Sequence, residues 1–469
     1  MRISGLLPGS KRGRIALAGA LAALLIAALA LGVYLYEKQR TGSVYHPNAP
    51  FTQQSVAPPP PAKPVRVFSW PLYGYTKNHA RFFAASSRLR PPFHKLWVHT
   101  GGALLEFPAV LYGERLFQLG DDAVLHAIDK NTGKDVWSRK LGALSASTPA
   151  VSSNTVYATV LERGPNSRNG RVVALNTTNG HFRWARPLPS RAESSPLLDK
   201  GLLIFGSENG TVYALDARTG HPVWTYHASG AVKASPSVAN GVLYFGDYSG
   251  QLQAISERDG HRIWRSGSGG ALLGSGTFYS TAAVVYGRVY LGNTDGRVYA
   301  YDASSGKLDW AVQTGAYVYS SPAVANAPGL GPTIYSGSYD GSFRAIDARS
   351  GHVQWTFHAG GKISGSATII GNIVYFSDLG THRTYGLGIS TGRVAFREDT
   401  GAFDPVISDG HNLYMSGYTA LFALAPSSKP ARRNTAATAA AIPKKNSRRR
   451  ARARVRAKSV SRPARHRRP

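Results

Sequence analysis

From about residue 66 to residue 426, apolar and polar residues alternate in short runs, and apolar positions never recur with helical spacing. The stretch SPSVAN (235–240), GVLYFGDY (241–248), GQLQAISE (250–257) and HRIWRSG (261–267) shows the pattern, punctuated by Asn240-Gly241, Ser249-Gly250 and Asp259-Gly260. Period-two alternation between turn dipeptides predicts four short antiparallel strands.

The same unit returns along the chain. Ala127-Ile-Asp129 leads to Gly133 and Trp137, and Ala174-Leu-Asn176 to Gly180 and Trp184. Ala214-Leu-Asp216 leads to Gly220 and Trp224, and Ala254-Ile-Ser256 to Gly260 and Trp264. Ala300-Tyr-Asp302 leads to Gly306 and Trp310, and Ala345-Ile-Asp347 to Gly351 and Trp355. A degenerate copy runs from Gly386 through Gly392 to Phe396, and an eighth begins at Ala423-Leu424 and breaks off after Pro426. In the seven complete copies the small residue stands six before the glycine and the aromatic four after it. The period of 40–47 residues and four strands per unit predict propeller blades. Trp97 lies 40 residues before Trp137 without a motif ahead of it, so its strand is expected to complete the last blade. That makes an all-β, eight-bladed propeller of four-stranded antiparallel blades over 65–426, with no open sheet edge at the closure.

The motif reads as scaffold. The Asp can accept hydrogen bonds from backbone N–H groups two or three residues on. The Gly supplies the left-handed conformation that ends the loop. The aromatic can lie flat against the neighbouring blade, with the repeated Ala or Gly as its small partner, each buried indole contributing ~2–3 kcal/mol.

The ends differ from this body. Residues 15–36, IALAGALAALLIAALALGVYLY, carry no charge, and as a helix would be ~33 Å long, enough to cross a bilayer. Arg2, Lys11, Arg12 and Arg14 precede them, which predicts a single-pass signal anchor in the cytoplasmic membrane with residues 1–14 inside and the propeller outside. The alternative is a signal peptide cleaved at Ala28-Leu29-Ala30. Residues 37–64, which include SVAPPPPAKP, are expected to be a semi-rigid spacer. Residues 427–469 are expected to be a disordered basic tail, and 430–469 hold 15 Lys/Arg with no Asp or Glu, half of the net charge of +30. Such a tail suits an anionic wall polymer or lipid headgroups; without aromatics to stack on bases, nucleic acid is not an expected partner.

Composition agrees with a turn-rich β protein: 51 Gly, 24 Tyr and 8 Trp. Cysteine is absent, which excludes disulfides, thiolate metal sites and lipidation at a lipobox.

The repeat resembles the pyrroloquinoline quinone (PQQ) repeat, whose tryptophan-docking motifs build eight-bladed propellers. SWPLYGYTKNHAR, Ser69 to Arg81, resembles the segment leading into the first blade of such proteins. The resemblance implies two kinds of function. Some members are membrane-bound quinone-dependent dehydrogenases that hold PQQ and calcium over the central channel. Others, of the BamB-like type, bind protein partners and catalyse nothing. The channel is expected to be lined by Glu106, Arg191, Glu193, Lys233, Tyr279, Tyr319, Lys362 and Asp404, just ahead of each inner strand. Calcium needs six to eight converging oxygens, and the carboxylates come only from blades one, three and eight. Glu106 and Asp404, on neighbouring blades, are the pair to watch, read first as partners of a lysine or arginine. No catalytic Asn-Trp-Asp run aligns, and the absence of cysteine removes the vicinal disulfide found in many of the enzymes. The expectation is therefore a non-catalytic scaffold for an envelope protein partner, with no cofactor and no metal; the alternative is a PQQ-dependent dehydrogenase.

Two further features have plain readings. His181, His221, His261 and His352 each follow a motif glycine, but on four different blades, so they cannot converge on one ion. The glycine-rich 265–276 has no P-loop lysine and leads into no helix.

Overall fold

The small residue of each motif lies directly across an antiparallel ladder from the aromatic of the same motif. Ala127 faces Trp137, Ala174 faces Trp184, Ala214 faces Trp224, and so on to Gly386 facing Phe396. The register shifts just beyond that position in every blade, a β-bulge that re-aims the start of the outer strand. The structure is a computed structural model that describes residues 19–32, 43–46, 49, 51–52, 67–162, 169–268 and 276–427.

Ahead of the first blade come a helix α1 (19–32) and the strands β1 (Val44–Tyr45), β2 (Ser69–Trp70), β3 (Phe82–Phe83) and β4 (Phe93–Thr100). Blade 1 is β5 (Val110–Tyr112), β6 (Arg115–Leu119), β7 (Val124–Asp129) and β8 (Asp135–Lys140), paired in chain order from the axis outwards. Six more blades repeat this order. The eighth takes its inner three strands from Val406–Ser408, Leu413–Ser416 and Ala420–Pro426, and its outer strand is β4, with Trp97 opposite Ala423. The ring thus closes with a strand from before the first blade, as the spacing of Trp97 predicts.

Blades are joined by the aromatics, through a partner the repeat alone did not single out. Each indole lies on the motif glycine of the next blade, while the alanine is its cross-strand neighbour in its own blade. A Cβ at Gly180 would come within 2.7 Å of Trp137, and one at Gly220 within 2.7 Å of Trp184. These glycines also have φ near +70°, so left-handed backbone and ring stacking both require the missing side chain. The indole N–H then donates across the seam: Trp97 to Lys130 O, Trp137 to Thr177 O, Trp184 to Ala217 O, Trp224 to Glu257 O, Trp264 to Ala303 O, Trp310 to Ala348 O and Trp355 to Ile389 O. The motif aspartates cap the turns as expected: Asp129 accepts from the N–H groups of Asn131 and Thr132, and Asp347 from those of Arg349 and Ser350.

The region read as a spacer packs where it is described. β1 pairs with the outer strand of blade 5, Val44 opposite Ala311 and Tyr45 opposite Trp310. Phe51 stacks on Tyr286 at 5.2 Å and lies 5.1 Å from the Arg288 guanidinium. Arg288 is fully buried against Asp309 at 2.6 Å. The reason is local: Val44, Tyr45 and Phe51 are apolar, and the outer strand of a blade offers an unpaired ladder edge. The Pro-rich run itself and the tail from 428 lie outside the described residues.

The helix α1 has 14 residues, ~21 Å, with Leu21, Leu24, Leu25 and Ile26 exposed. Among the described residues no helix is long and apolar enough to cross a membrane. The expected span 15–36 extends past α1 at both ends, into residues outside the described set.

Candidate binding site at the channel

The lead-in segment runs along the inner strands of the ring. β2 pairs antiparallel with β5 of blade 1, and β3 pairs parallel with the inner strand of blade 7. Between them, inner-strand N–H groups of other blades donate to its carbonyls. Val151 donates to Pro71 O, Val238 to Lys77 O, Val284 to Asn78 O, Val324 to Ala80 O and Ile369 to Arg81 O, at 2.7–2.9 Å. A regular strand sends alternate carbonyls to opposite sides. Positive φ at Tyr75, His79 and Arg81 breaks that alternation, so that carbonyls close in sequence reach blades 4 to 7 in turn. The Lys77 ammonium adds an ion pair to Asp199 of blade 3 at 2.8 Å.

Inside the plug, Tyr73, His79 and Arg81 are buried. The Arg81 guanidinium lies 3.9 Å from the Tyr73 ring centroid and 4.0 Å from an Asp404 oxygen. Burial pushes the Asp404 carboxyl up, with Arg81 opposing, and the Ser366 N–H donates to it. The Tyr73 and Ser366 hydroxyls hydrogen-bond at 2.9 Å. Burial and the adjacent Arg81 charge hold the His79 imidazole well below the ordinary histidine range, and its Nδ1 lies 3.1 Å from Ser237 Oγ.

Above this layer a cavity of about 50 Å³ is bordered by Tyr73, Glu106, Glu193, Lys233, Tyr279, Tyr319 and Asp404. Six of the eight residues expected to line the channel thus share one cavity. Lys362 stands apart, 5.5 Å from the Tyr339 ring centroid, and Arg191 is outside the cavity wall. Lys233 bridges Glu193 at 2.8 Å and Glu208 at 3.0 Å. Burial, then the charges of Asp121 and Asp404, push Glu106 up to about 7; burial and Asp122 push Asp121 up to about 6.

These shifts set a pH dependence. Glu106 binds its proton more tightly folded than unfolded, so its contribution to stability declines as pH rises from 4.5 to about 7. A Glu106→Gln variant is expected to be roughly 1–3 kcal/mol more stable than the parent at pH 8. It should show a flatter pH profile, with the shares of the other raised carboxyls, Asp121 and Asp404 among them, still present. Urea unfolding midpoints at pH 5 and pH 8 measure both; an unchanged slope would mean that Glu106 stays ionised throughout.

At the mouth sits a tyrosine cluster of which the sequence names only Tyr279 and Tyr319 as channel-lining. Tyr279 and Tyr319 are 5.3 Å apart, Tyr319 and Tyr339 4.9 Å, Tyr317 and Tyr319 5.9 Å, and Tyr248 lies 6.2 Å from Tyr279. They come from loops of blades 4, 5 and 6 that all open on this face. The Tyr317-Val-Tyr319 pair was the available signal, but Tyr248 and Tyr339 sit in a different loop of the repeat, between second and third strands. His181, His221, His261 and His352 are exposed turn residues on separate blades, as expected.

The family's quinone and calcium can be tested against these groups. No asparagine or glutamine borders the cavity, and its carboxylates face Arg81 or Lys233, or are pushed towards the neutral form at Glu106. Calcium takes six to eight oxygens, and among the described residues the three carboxylates of the cavity do not form a group whose oxygens lie within 4.8 Å of one another. The residues present do not fit the pair.

Comparison with known proteins agrees with the architecture. A family profile described as outer membrane protein assembly factor BamB matches residues 94–167, 121–266, 168–398 and 249–442. BamB from Moraxella catarrhalis superposes with a TM-score of 0.57 at 16% identity, covering 71% of this chain and 100% of that one. Quinohemoprotein alcohol dehydrogenase from Comamonas testosteroni superposes with a TM-score of 0.63 at 14% identity, covering 77% and 81%. In sequence, the quinoprotein alcohol dehydrogenase PedH of Pseudomonas putida is 30% identical over 125 residues, which is 24% of this chain. That match spans only 20% of the dehydrogenase. With repeat, ring closure and profile in agreement, the chain belongs to the PQQ-repeat propeller family described as outer membrane protein assembly factor BamB.

Proposed function

We propose that the protein is a non-catalytic binding propeller, presented outside the cytoplasmic membrane by an anchor at 15–36, that docks an envelope protein partner on its tyrosine-lined channel face. The observation that carries this reading is the division of labour at the channel. The charged groups below are largely committed to one another, while Tyr248, Tyr279, Tyr317, Tyr319 and Tyr339 are gathered at the mouth, with Tyr317 45% exposed. Clustered tyrosines offer large contact area at low entropic cost and are enriched at interface centres. The BamB description of the matching profile supports a protein partner. The basic tail adds electrostatic avidity for an anionic wall polymer or lipid.

The test is affinity capture from solubilised membranes with three baits: the full chain, the full chain carrying Tyr317→Ser and Tyr319→Ser, and the tail alone. A partner retained by the first, weakened about 10- to 100-fold by the double substitution and not held by the tail is the expected result. Equal capture by all three would overturn the reading. A parallel titration with PQQ and calcium addresses the dehydrogenase alternative: saturable, calcium-dependent binding with turnover would replace this proposal.

A further inference from the structure

We infer that the seam between blades 8 and 1 carries a zinc site formed by His99, His126 and Asp135. His99 is on β4, the strand that closes the ring; His126 is on β7 and Asp135 begins β8, both in blade 1. His99 Nε2 lies 3.0 Å from Asp135 Oδ1, and His126 Nδ1 lies 3.0 Å from Asp135 Oδ2. One ligand atom from each residue falls within 4.8 Å of the other two. Zinc bound to imidazole and carboxylate at about 2.0–2.1 Å in a tetrahedron separates neighbouring donors by about 3.3 Å. The two imidazole–carboxylate separations are already close to this value, and the two imidazole nitrogens, within 4.8 Å of each other, need close by no more than about 1.5 Å for the three groups to share one ion.

The donor set narrows the metal to the imidazole-binding transition ions, of which zinc is the one proposed. Two imidazoles and one carboxylate suit zinc and disfavour calcium or magnesium, which take oxygen ligands. The histidine side chains are 12% and 17% exposed, against 38% for Asp135, so the imidazoles are held from behind and the open side faces water. A water molecule would take the fourth position there.

The repeat supplies an internal comparison. These three places are two residues after the docking aromatic of one blade, and one before the motif alanine and two before the aromatic of the next. At the seam of blades 2 and 3 the same places hold Arg186, Tyr213 and Pro222, and at the seam of blades 6 and 7 Phe357, Tyr385 and Val394. None of the other seven seams has a histidine at any of them. The ligand trio thus stands at the one junction where the ring is closed by a strand from outside the repeat order. A metal there would tie β4 to blade 1 and staple the closure.

The experiment uses the untagged full chain in detergent, stripped with chelator and titrated with zinc chloride by calorimetry. One equivalent is expected to bind and to raise the thermal unfolding midpoint as zinc increases. His126→Ala and Asp135→Asn should each weaken that binding by more than about 100-fold while leaving the far-ultraviolet spectrum unchanged. Cobalt(II) in place of zinc should give the strong visible bands of a four-coordinate ion, with no sulfur charge transfer. Absence of a one-equivalent event, or its persistence in both variants and in His99→Ala, would overturn the proposal. So would a weak octahedral cobalt spectrum, and that readout does not depend on whether a variant folds.

Discussion

An Arg81→Met variant is expected to lose about 3–5 kcal/mol of unfolding free energy at pH 8. Methionine preserves much of the volume against Tyr73 but removes the guanidinium that faces Asp404 from 4.0 Å. Both side chains are almost completely buried, Arg81 to 1% and Asp404 to 5% exposure, so water cannot replace the lost cation. The sign of the pH effect follows. Burial already raises the Asp404 carboxyl, and Arg81 opposes that rise. Without Arg81 the folded protein binds the Asp404 proton still more tightly, so the variant's stability falls as pH rises above the unfolded carboxyl range. The deficit at pH 5 should therefore be smaller than at pH 8. Adding Asp404→Asn to Arg81→Met should recover much of the loss, because the stranded charge is gone. Urea unfolding of the four proteins of this cycle, followed by tryptophan fluorescence, gives the coupling directly. A single variant within 1 kcal/mol of the parent at pH 8 would show that the plug does not depend on this pair.

Trp310→Ala is expected to cost a similar 3–5 kcal/mol, more than the same change at Trp97 or Trp137. Trp310 is 1% exposed because β1 covers the outer edge of blade 5, whereas those two remain partly open. Its ring lies on Gly351, and its N–H donates to Ala348 O at 3.2 Å. Truncation leaves a cavity between three layers: β1, blade 5 and blade 6. Trp310→Phe should cost only about 1 kcal/mol beyond the change in buried area, the net value of one hydrogen bond. The molecule carries that substitution already at Phe396, which packs against Phe93 at 5.7 Å with no indole N–H to donate. Equal losses at Trp310, Trp97 and Trp137 would mean that β1 adds nothing to the seam.

Much of the candidate site was legible in outline. A residue just ahead of an inner strand must point near the axis of a propeller, which is why Glu106, Glu193, Lys233, Tyr279, Tyr319 and Asp404 came together. Arg191 and Lys362 share that position in the repeat but not the cavity wall, because position along the strand does not determine where a long, flexible side chain ends. Arg81, Tyr73 and His79 belong to the lead-in segment, and no pattern along the chain marks them as buried. The plug is held by carbonyls that accept from the N–H groups of other blades, and backbone bonding leaves no side-chain pattern to detect.

The blade, the number of blades and the closure follow from the pattern along the chain. Each rests on local rules, namely alternation, turn residues and a fixed spacing of Ala, Gly and Trp, repeated until the count was unambiguous. Three outcomes belong to the folded ring: the lead-in segment along the inner strands, β1 on the outer edge of blade 5, and His99 beside His126 and Asp135. Those outcomes join segments that occur once in the chain, so no repeat announces them. They depend on ring geometry, which brings residues 69–83 against the inner strands and closes β4 against blade 1.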